Sequence, residues 1–238
     1  MPTELLYLDH AYQKECTSKV LSVDFTDLTV DKTILFPAGY GQPNDKGHAV
    51  IGNREYQIVD VWTDGESVHL ISLDTYPQDI TGKEIRQVVD WNSRYLHMRF
   101  RSAMFLIASV AHKLFGSQAR INQTYDSEAW MDLYVNNLSE DMISEIGLEA
   151  NRLVREGVPI ETIYLDEAYI AENSGILRII RESLPGGGKL RATKIGNFLP
   201  IPDMGLHVKN TSDIGPITIK TGKEKGKVSN RIMLYLTD

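Results

Sequence analysis

Cysteine is nearly absent: Cys16 is the only one in 238 residues. No internal disulfide can form, and an intracellular, cytoplasmic protein is the expected setting. No run of about 18 apolar residues occurs, so no membrane-spanning helix is predicted and no membrane partner is expected. The opening Met1-Pro2-Thr3-Glu4-Leu5-Leu6-Tyr7-Leu8 lacks the basic stretch and apolar core of a secretory signal. Positive charge is also short, with 25 Lys and Arg against 32 Asp and Glu and a net charge of −7. Taken alone, that balance argues against a nucleic-acid partner. Its distribution argues the other way. Residues 1–90 hold 7 basic against 15 acidic side chains, residues 91–177 hold 7 against 12, and residues 178–238 hold 11 against 5. A basic C-terminal third can attract phosphates locally on an acidic protein, or can simply be a solvated face.

The apolar share of 42% and charged share of 24% are those of ordinary globular chains. The length admits one large or two modest domains. Residues 1–90 read as short strands: Ser18 to Val23, Leu28 to Asp31, and Gln57 to Trp62 and Ser67 to Ile71 flanking the hairpin dipeptide Asp64-Gly65. Short strands at even spacing predict a small β-barrel. Between them, Phe36 to Gly47 is too dense in Gly, Pro, Asn and Asp for regular structure and reads as a loop.

The periodicity changes at Asp90-Trp91-Asn92. Asn92 or Ser93 is placed to cap a long amphipathic helix running through Leu96, Phe100, Met104, Ile107 and Leu114 to a stop at Gly116. A second helix is predicted from Glu140 to Glu156, stopped by Gly157-Val158-Pro159. Strands are expected at Glu161 to Leu165, Gly175 to Ile180, Leu190 to Ile195, Ile214 to Lys220 and Asn230 to Leu236. The expectation is an α+β protein: a small N-terminal β-barrel over residues 1–90, then an α+β sandwich over residues 91–238. Gly186-Gly187-Gly188-Lys189 lacks the remainder of a phosphate-loop pattern and reads as a turn.

Several fragments gain meaning from their order. They are Phe36 to Gly47, which contains Gly39-Tyr40-Gly41-Gln42-Pro43; Asp90-Trp91-x-x-Arg94-x-x-His97-Met98; Glu149-Ala150-Asn151; His207-x-x-x-Thr211-x-x-Ile214-Gly215-x-Ile217; and the basic Lys223 to Lys227 before Arg231-Ile232. Together they resemble, over nearly the whole chain, the alanyl-tRNA editing proteins (the AlaX family). That family joins a small barrel to an editing domain shared with threonyl- and alanyl-tRNA synthetases. The resemblance implies hydrolysis, in trans, of the ester joining serine or glycine to tRNA(Ala), and so a part in translation fidelity.

The family's zinc is held by His-x-x-x-His on the first helix and Cys-x-x-x-His on a later loop. Here those four positions hold Arg101, Phe105, Asp203 and His207. A guanidinium offers only donors and a phenyl ring offers none, so no zinc cofactor is expected at this degenerate site. Arg101 and Asp203 are positioned to pair, with His207 beside them. Arg101 would then anchor a phosphate or polarise the ester carbonyl, while His207 or Asp203 orients a water; alternatively the pair fills the pocket and chemistry is lost. His97 reads as a hydrogen-bonded packing residue, and is the further nitrogen a metal would borrow. The resemblance further implies a substrate pocket touching Tyr40, Gly41, Gln42 and Thr211. It implies binding of the tRNA acceptor end by Lys220, Lys223, Lys225, Lys227 and Arg231; a homo-oligomer is compatible with the pattern. Two functions follow: an aminoacyl-tRNA deacylase without zinc, or a catalytically inactive tRNA-binding homologue.

Overall fold

The structure, a computed structural model, describes residues 2–135, 137–172, 190–222 and 230–237. The expected strand Gly175 to Ile180, the turn at Gly186 to Lys189, and Lys223, Lys225 and Lys227 lie outside the described residues. The chain forms two compact units, Met1–Leu96 and His97–Asp238.

The first unit is a closed antiparallel barrel, as the spacing of short strands predicts. Its elements are β1 (Glu4–Leu5), β2 (Glu15–Asp24), β3 (Asp27–Val30), β4 (Lys32–Thr33), β5 (Gly47–Ile51), β6 (Arg54–Thr63), β7 (Val68–Ser72) and β8 (Glu84–Val89). The barrel closes in the order β2-β3-β7-β6-β5-β8, while β1 pairs in parallel with β4 outside it. Alternation decides which side chains fill the interior: in β2 it sends Cys16, Ser18 and Val20 inward, where Val20 joins Leu28, Val61 and Leu70. β5 and β8 escape the sequence reading because β5 is only five residues long and opens on Gly47, while β8 carries Glu84 and Arg86 on its outer face. Gly47 is required by closure, since an added Cβ would meet the Val88 carbonyl oxygen at 2.1 Å. At the predicted hairpin, the Asp64 carboxylate accepts from the amides of Glu66 and Ser67, and Gly65 takes a φ of +100°.

The Gly-rich segment is indeed a loop, held at both ends. Gly39 and Gln42 exchange backbone hydrogen bonds around Tyr40 and Gly41, both at positive φ. Below this turn the amide of Phe36 donates to Asp45 Oδ2 at 2.6 Å. Asp45 also pairs with Arg94, whose guanidinium donates to the carbonyls of Ile34, Ala11 and Gln13.

Helix α1 (Trp91–Phe115) begins just before the sequence-based start, with the Asp90 side chain accepting from the Ser93 amide at 3.3 Å. It ends at Gly116, at φ +62°. An amphipathic helix is expected there, but every residue from Phe100 to Ala111 is buried. The small and polar positions Ser102, Ala103, Ala108 and Ser109 let backbone approach on the sides where solvent is expected. Ser109 returns its hydroxyl to the carbonyl of Phe105.

The second unit contains β9 (Gln118–Thr124), β10 (Ala129–Tyr134), α2 (Glu140–Glu156), β11 (Ile160–Leu165), α3 (Glu167–Glu172), β12 (Leu190–Ile195), β13 (Ile201–Pro202), β14 (Ile217–Thr221) and β15 (Arg231–Leu236). Two antiparallel sheets form, in the orders β14-β15-β10-β9 and β11-β12-β13. Helix α2 has the predicted bounds. Ser139 caps it by accepting from the Met142 amide, Gly157 ends it at φ +70°, and Ile143, Ile146, Ala150 and Leu153 form its buried stripe. Asn151 fixes α2 to β14 by accepting from the Ile217 amide and donating to the Ile217 carbonyl. The overall architecture is α+β with an N-terminal barrel. Among the described residues, no helix is long and apolar enough to cross a membrane.

Candidate functional site

Within the second unit, α1 and the segment after β13 bring together Arg101, Ser102, Phe105, Asp203 and His207. Arg101 leaves only 1% of its surface exposed, and its Nε donates to Asp203 Oδ2 at 3.1 Å while a terminal nitrogen donates to Oδ1. This two-point pairing fixes the carboxylate plane. The Nε2 of His207 lies 2.6 Å from the same Oδ2, and its Nδ1 lies 3.1 Å from Ser102 Oγ. That hydroxyl accepts from the Val208 amide at 3.0 Å, leaving its own proton for His207 Nδ1. His207 is thereby assigned as the Nε2–H tautomer, donating to Asp203. Phe105 presents its ring edge-on to the imidazole at 4.7 Å between centroids, and the Arg101 guanidinium lies 5.0 Å from the Phe105 centroid.

The electrostatics agree with this tautomer. Burial by itself would raise the Asp203 carboxyl, but the Arg101 charge and the His207 hydrogen bond together hold it well below the usual carboxylate range. Burial pushes His207 below the usual imidazole range, against the pull of Asp203, so the ring stays neutral. The cluster is an ionised Arg–Asp pair with a neutral histidine locked beside it.

Arg191 completes the frame. Its Nη1 donates to the carbonyls of Asp203 and Gly205 at 2.8 and 2.9 Å, while the Asp203 amide donates back to the Arg191 carbonyl at 3.1 Å. Sequence reasoning misses both Ser102 and Arg191. The available signal for Arg191 is a cation set between Leu190 and Ala192 in the strand-forming Leu190–Ile195; Ser102 carries none, because serine within a helix is commonplace.

The other expected site residues are each placed within their own unit. Tyr40 is an exposed loop tip, and Gln42 is buried in the first unit. Thr211 lies at the end of α2, where its hydroxyl donates to the Leu153 carbonyl and accepts from the Val158 amide. Lys220 is exposed on β14 beside the Tyr235 ring. Arg231 on β15 pairs with Asp132 at 3.0 Å and stacks over Trp130 at 3.7 Å. A cleft of about 760 Å³ in the same unit is lined by Lys113, Glu156, Val158, Glu161, Lys194 and Phe198, and by none of the Arg101 cluster.

A zinc ion needs several lone pairs converging on one point. Of the four positions named above, only Asp203 and His207 carry donor atoms. Both Asp203 oxygens face Arg101 or His207, and both His207 nitrogens are engaged. The residues present do not fit the ion, and among the described residues no group of three or more His, Cys, Asp or Glu side chains is gathered to hold a metal.

The match to known proteins spans the chain. Residues 190–233 match the family model described as the threonyl and alanyl tRNA synthetase second additional domain. The alanyl-tRNA editing protein AlaX-M of Saccharolobus solfataricus is 27% identical, over 97% of this chain and 97% of the relative. The alanine--tRNA ligase of Staphylothermus marinus is 29% identical over 92% of this chain, which spans only 24% of the ligase. AlaX-L of Pyrococcus horikoshii is 25% identical over 94% of this chain and 55% of the relative. A barrel followed by an α+β unit, a matching synthetase-type editing segment and similarity along the full length of AlaX-M together bear out the resemblance of this chain to the alanyl-tRNA editing proteins.

Proposed function

We propose that this protein is a trans-acting aminoacyl-tRNA deacylase of the cytoplasm, releasing serine or glycine from mischarged tRNA(Ala) without zinc. The observation that carries the zinc-free reading is the two-point Arg101–Asp203 pair with His207 bonded to the same carboxylate. A guanidinium brings fixed positive charge where an ion would, and ties α1 to the segment after β13 as a shared metal would. Arg101 and Asp203 hold the electrostatic frame; His207, neutral and fixed, completes it. Lys220 and Arg231, with the lysines between them in sequence, supply phosphate contacts that position the acceptor end.

A second reading, a tRNA-binding homologue without turnover, is favoured by the closure of the same cluster, in which His207 retains only 8% exposure. The two readings separate in one assay series. Purified protein is incubated with Ser-, Gly- and Ala-tRNA(Ala), with chelator and with added zinc. Release of serine or glycine above the buffer background, unchanged by chelator, is the expected result. No release under any metal condition, together with salt-dependent tRNA binding, selects the second reading; no release and no binding at low salt removes both.

A further inference from the structure

The residue that accepts a proton in the proposed hydrolysis is still to be found, and the cluster itself does not offer it. His207 has its Nε2 on Asp203 and its Nδ1 on Ser102, so neither nitrogen faces a water. His97 differs. It stands four residues before Arg101 on α1, and residues at that spacing are neighbours on one helix face with Cβ atoms about 5–6 Å apart. Its Nε2 lies 2.9 Å from Asp126 Oδ1 in the β9–β10 turn, while its Nδ1 is buried and has no hydrogen-bond partner. The ring is only 2% exposed, so that lone nitrogen is withheld from bulk water. Thr124, two residues before Asp126 on the same hairpin, also buries a hydroxyl without a partner. A buried polar atom left unpaired is costly, and each of these calls for an occupant.

We infer that His97, oriented by Asp126, is the general base of the hydrolysis, and this inference rests on the deacylase reading above. In the tautomer that donates Nε2–H to Asp126, His97 has a bare lone pair on Nδ1, the arrangement a base requires. A water entering beside Nδ1 gives its proton to that nitrogen as its oxygen bonds to the acyl carbon. The carbonyl π pair moves onto the carbonyl oxygen. When that pair returns, the bond to the terminal ribose oxygen breaks, and Nδ1–H returns the proton to the leaving oxygen. Water is the only co-reactant, and His97 ends as it began.

The test compares steady-state release of serine from Ser-tRNA(Ala) by wild type, H97Q, H97A and D126N. H97Q is expected to lower kcat by about 100-fold or more with KM within about threefold. D126N, altering a side chain that is 73% exposed and so leaving the fold intact, is expected to lower kcat by about tenfold or more with KM unchanged. Added imidazole is expected to restore several-fold activity to H97A, which a packing role would not produce. Wild-type turnover with an unaltered rate in H97Q or D126N, or H97A that imidazole leaves unrescued, overturns the inference alone. Absence of turnover in wild type overturns the deacylase reading and this inference with it.

Discussion

Helix α1 carries two buried arginine–aspartate pairs, seven residues apart, and they do different things. Arg94 reaches into the first unit, where three backbone carbonyls share its guanidinium with Asp45, and Asp45 in turn accepts from the Phe36 amide. That pair is a clamp on loop backbone: besides Arg94, the Asp45 carboxylate takes the Phe36 amide. Arg101 bonds Asp203 at two points, and Asp203 passes the contact on to His207, Ser102 and the Val208 amide. The same chemical pair thus ends in backbone in one unit and in a histidine in the other. Burial alone does not distinguish the two pairs; the second partner of each carboxylate does.

Removing either arginine should strip charge from a buried carboxylate. R94A and R101A are each expected to cost about 3–5 kcal/mol by urea unfolding, R94A the more because three carbonyls also lose their donor. An R101A loss below about 1 kcal/mol would mean that water enters freely and the frame described here does not hold.

The second way to sharpen the contrast is to rebuild the metal. The triple variant R101H/F105H/D203C, with His207 kept, offers imidazoles at i and i+4 of α1 and a thiolate across from them. Metal analysis should find about one zinc per chain in that variant and far less in wild type after chelator exchange. Stoichiometric zinc in wild type would break the distinction between the two pairs.

Acid should expose the difference in titration. His207 is held neutral in the fold, below the usual imidazole range, so below about pH 6.5 the unfolded chain binds the extra proton and stability falls as pH drops. Asp203 is depressed, so its contribution is complete above about pH 4 and is lost as pH falls through its folded value. Both act in one direction: the thermal midpoint should decline from pH 7 to 5 and again in stronger acid. H207Q should flatten the first limb and leave the second. A midpoint equally pH-dependent in H207Q would assign the first limb to other histidines.

The smallest effect is expected from charge at the surface. Arg152 bonds Glu149 and Glu156 along α2, and Glu149 is drawn down to about 2 chiefly by its hydrogen bond to Arg152. These groups are solvated, so R152A should shift the unfolding midpoint far less than R101A, and the loss should shrink with salt. A larger cost would place exposed ion pairs on a par with the buried ones.

Much of this was legible in advance. Helix α2 announced itself through its apolar stripe and the stop at Gly157, because periodicity and helix ends are local. The Arg101–Asp203 encounter was legible only through the family resemblance, which set two positions 102 residues apart against each other. Strands β9 and β10 were not foreseen, because Gln, Arg, Asn and Asp dilute their alternation and the β-bulge near Trp130 interrupts it.

Local chemistry, written in the order of residues, determined four of the six barrel strands, the two long helices and the want of lone pairs at Arg101 and Phe105. Tertiary structure decided which nitrogen of His207 is protonated, that Ser102 and Arg191 belong to the frame, and that His97 alone of the two site histidines keeps a bare nitrogen. Those outcomes turn on distances of about 3 Å between residues remote in sequence, where hydrogen-bond strength is settled by geometry that no linear pattern encodes.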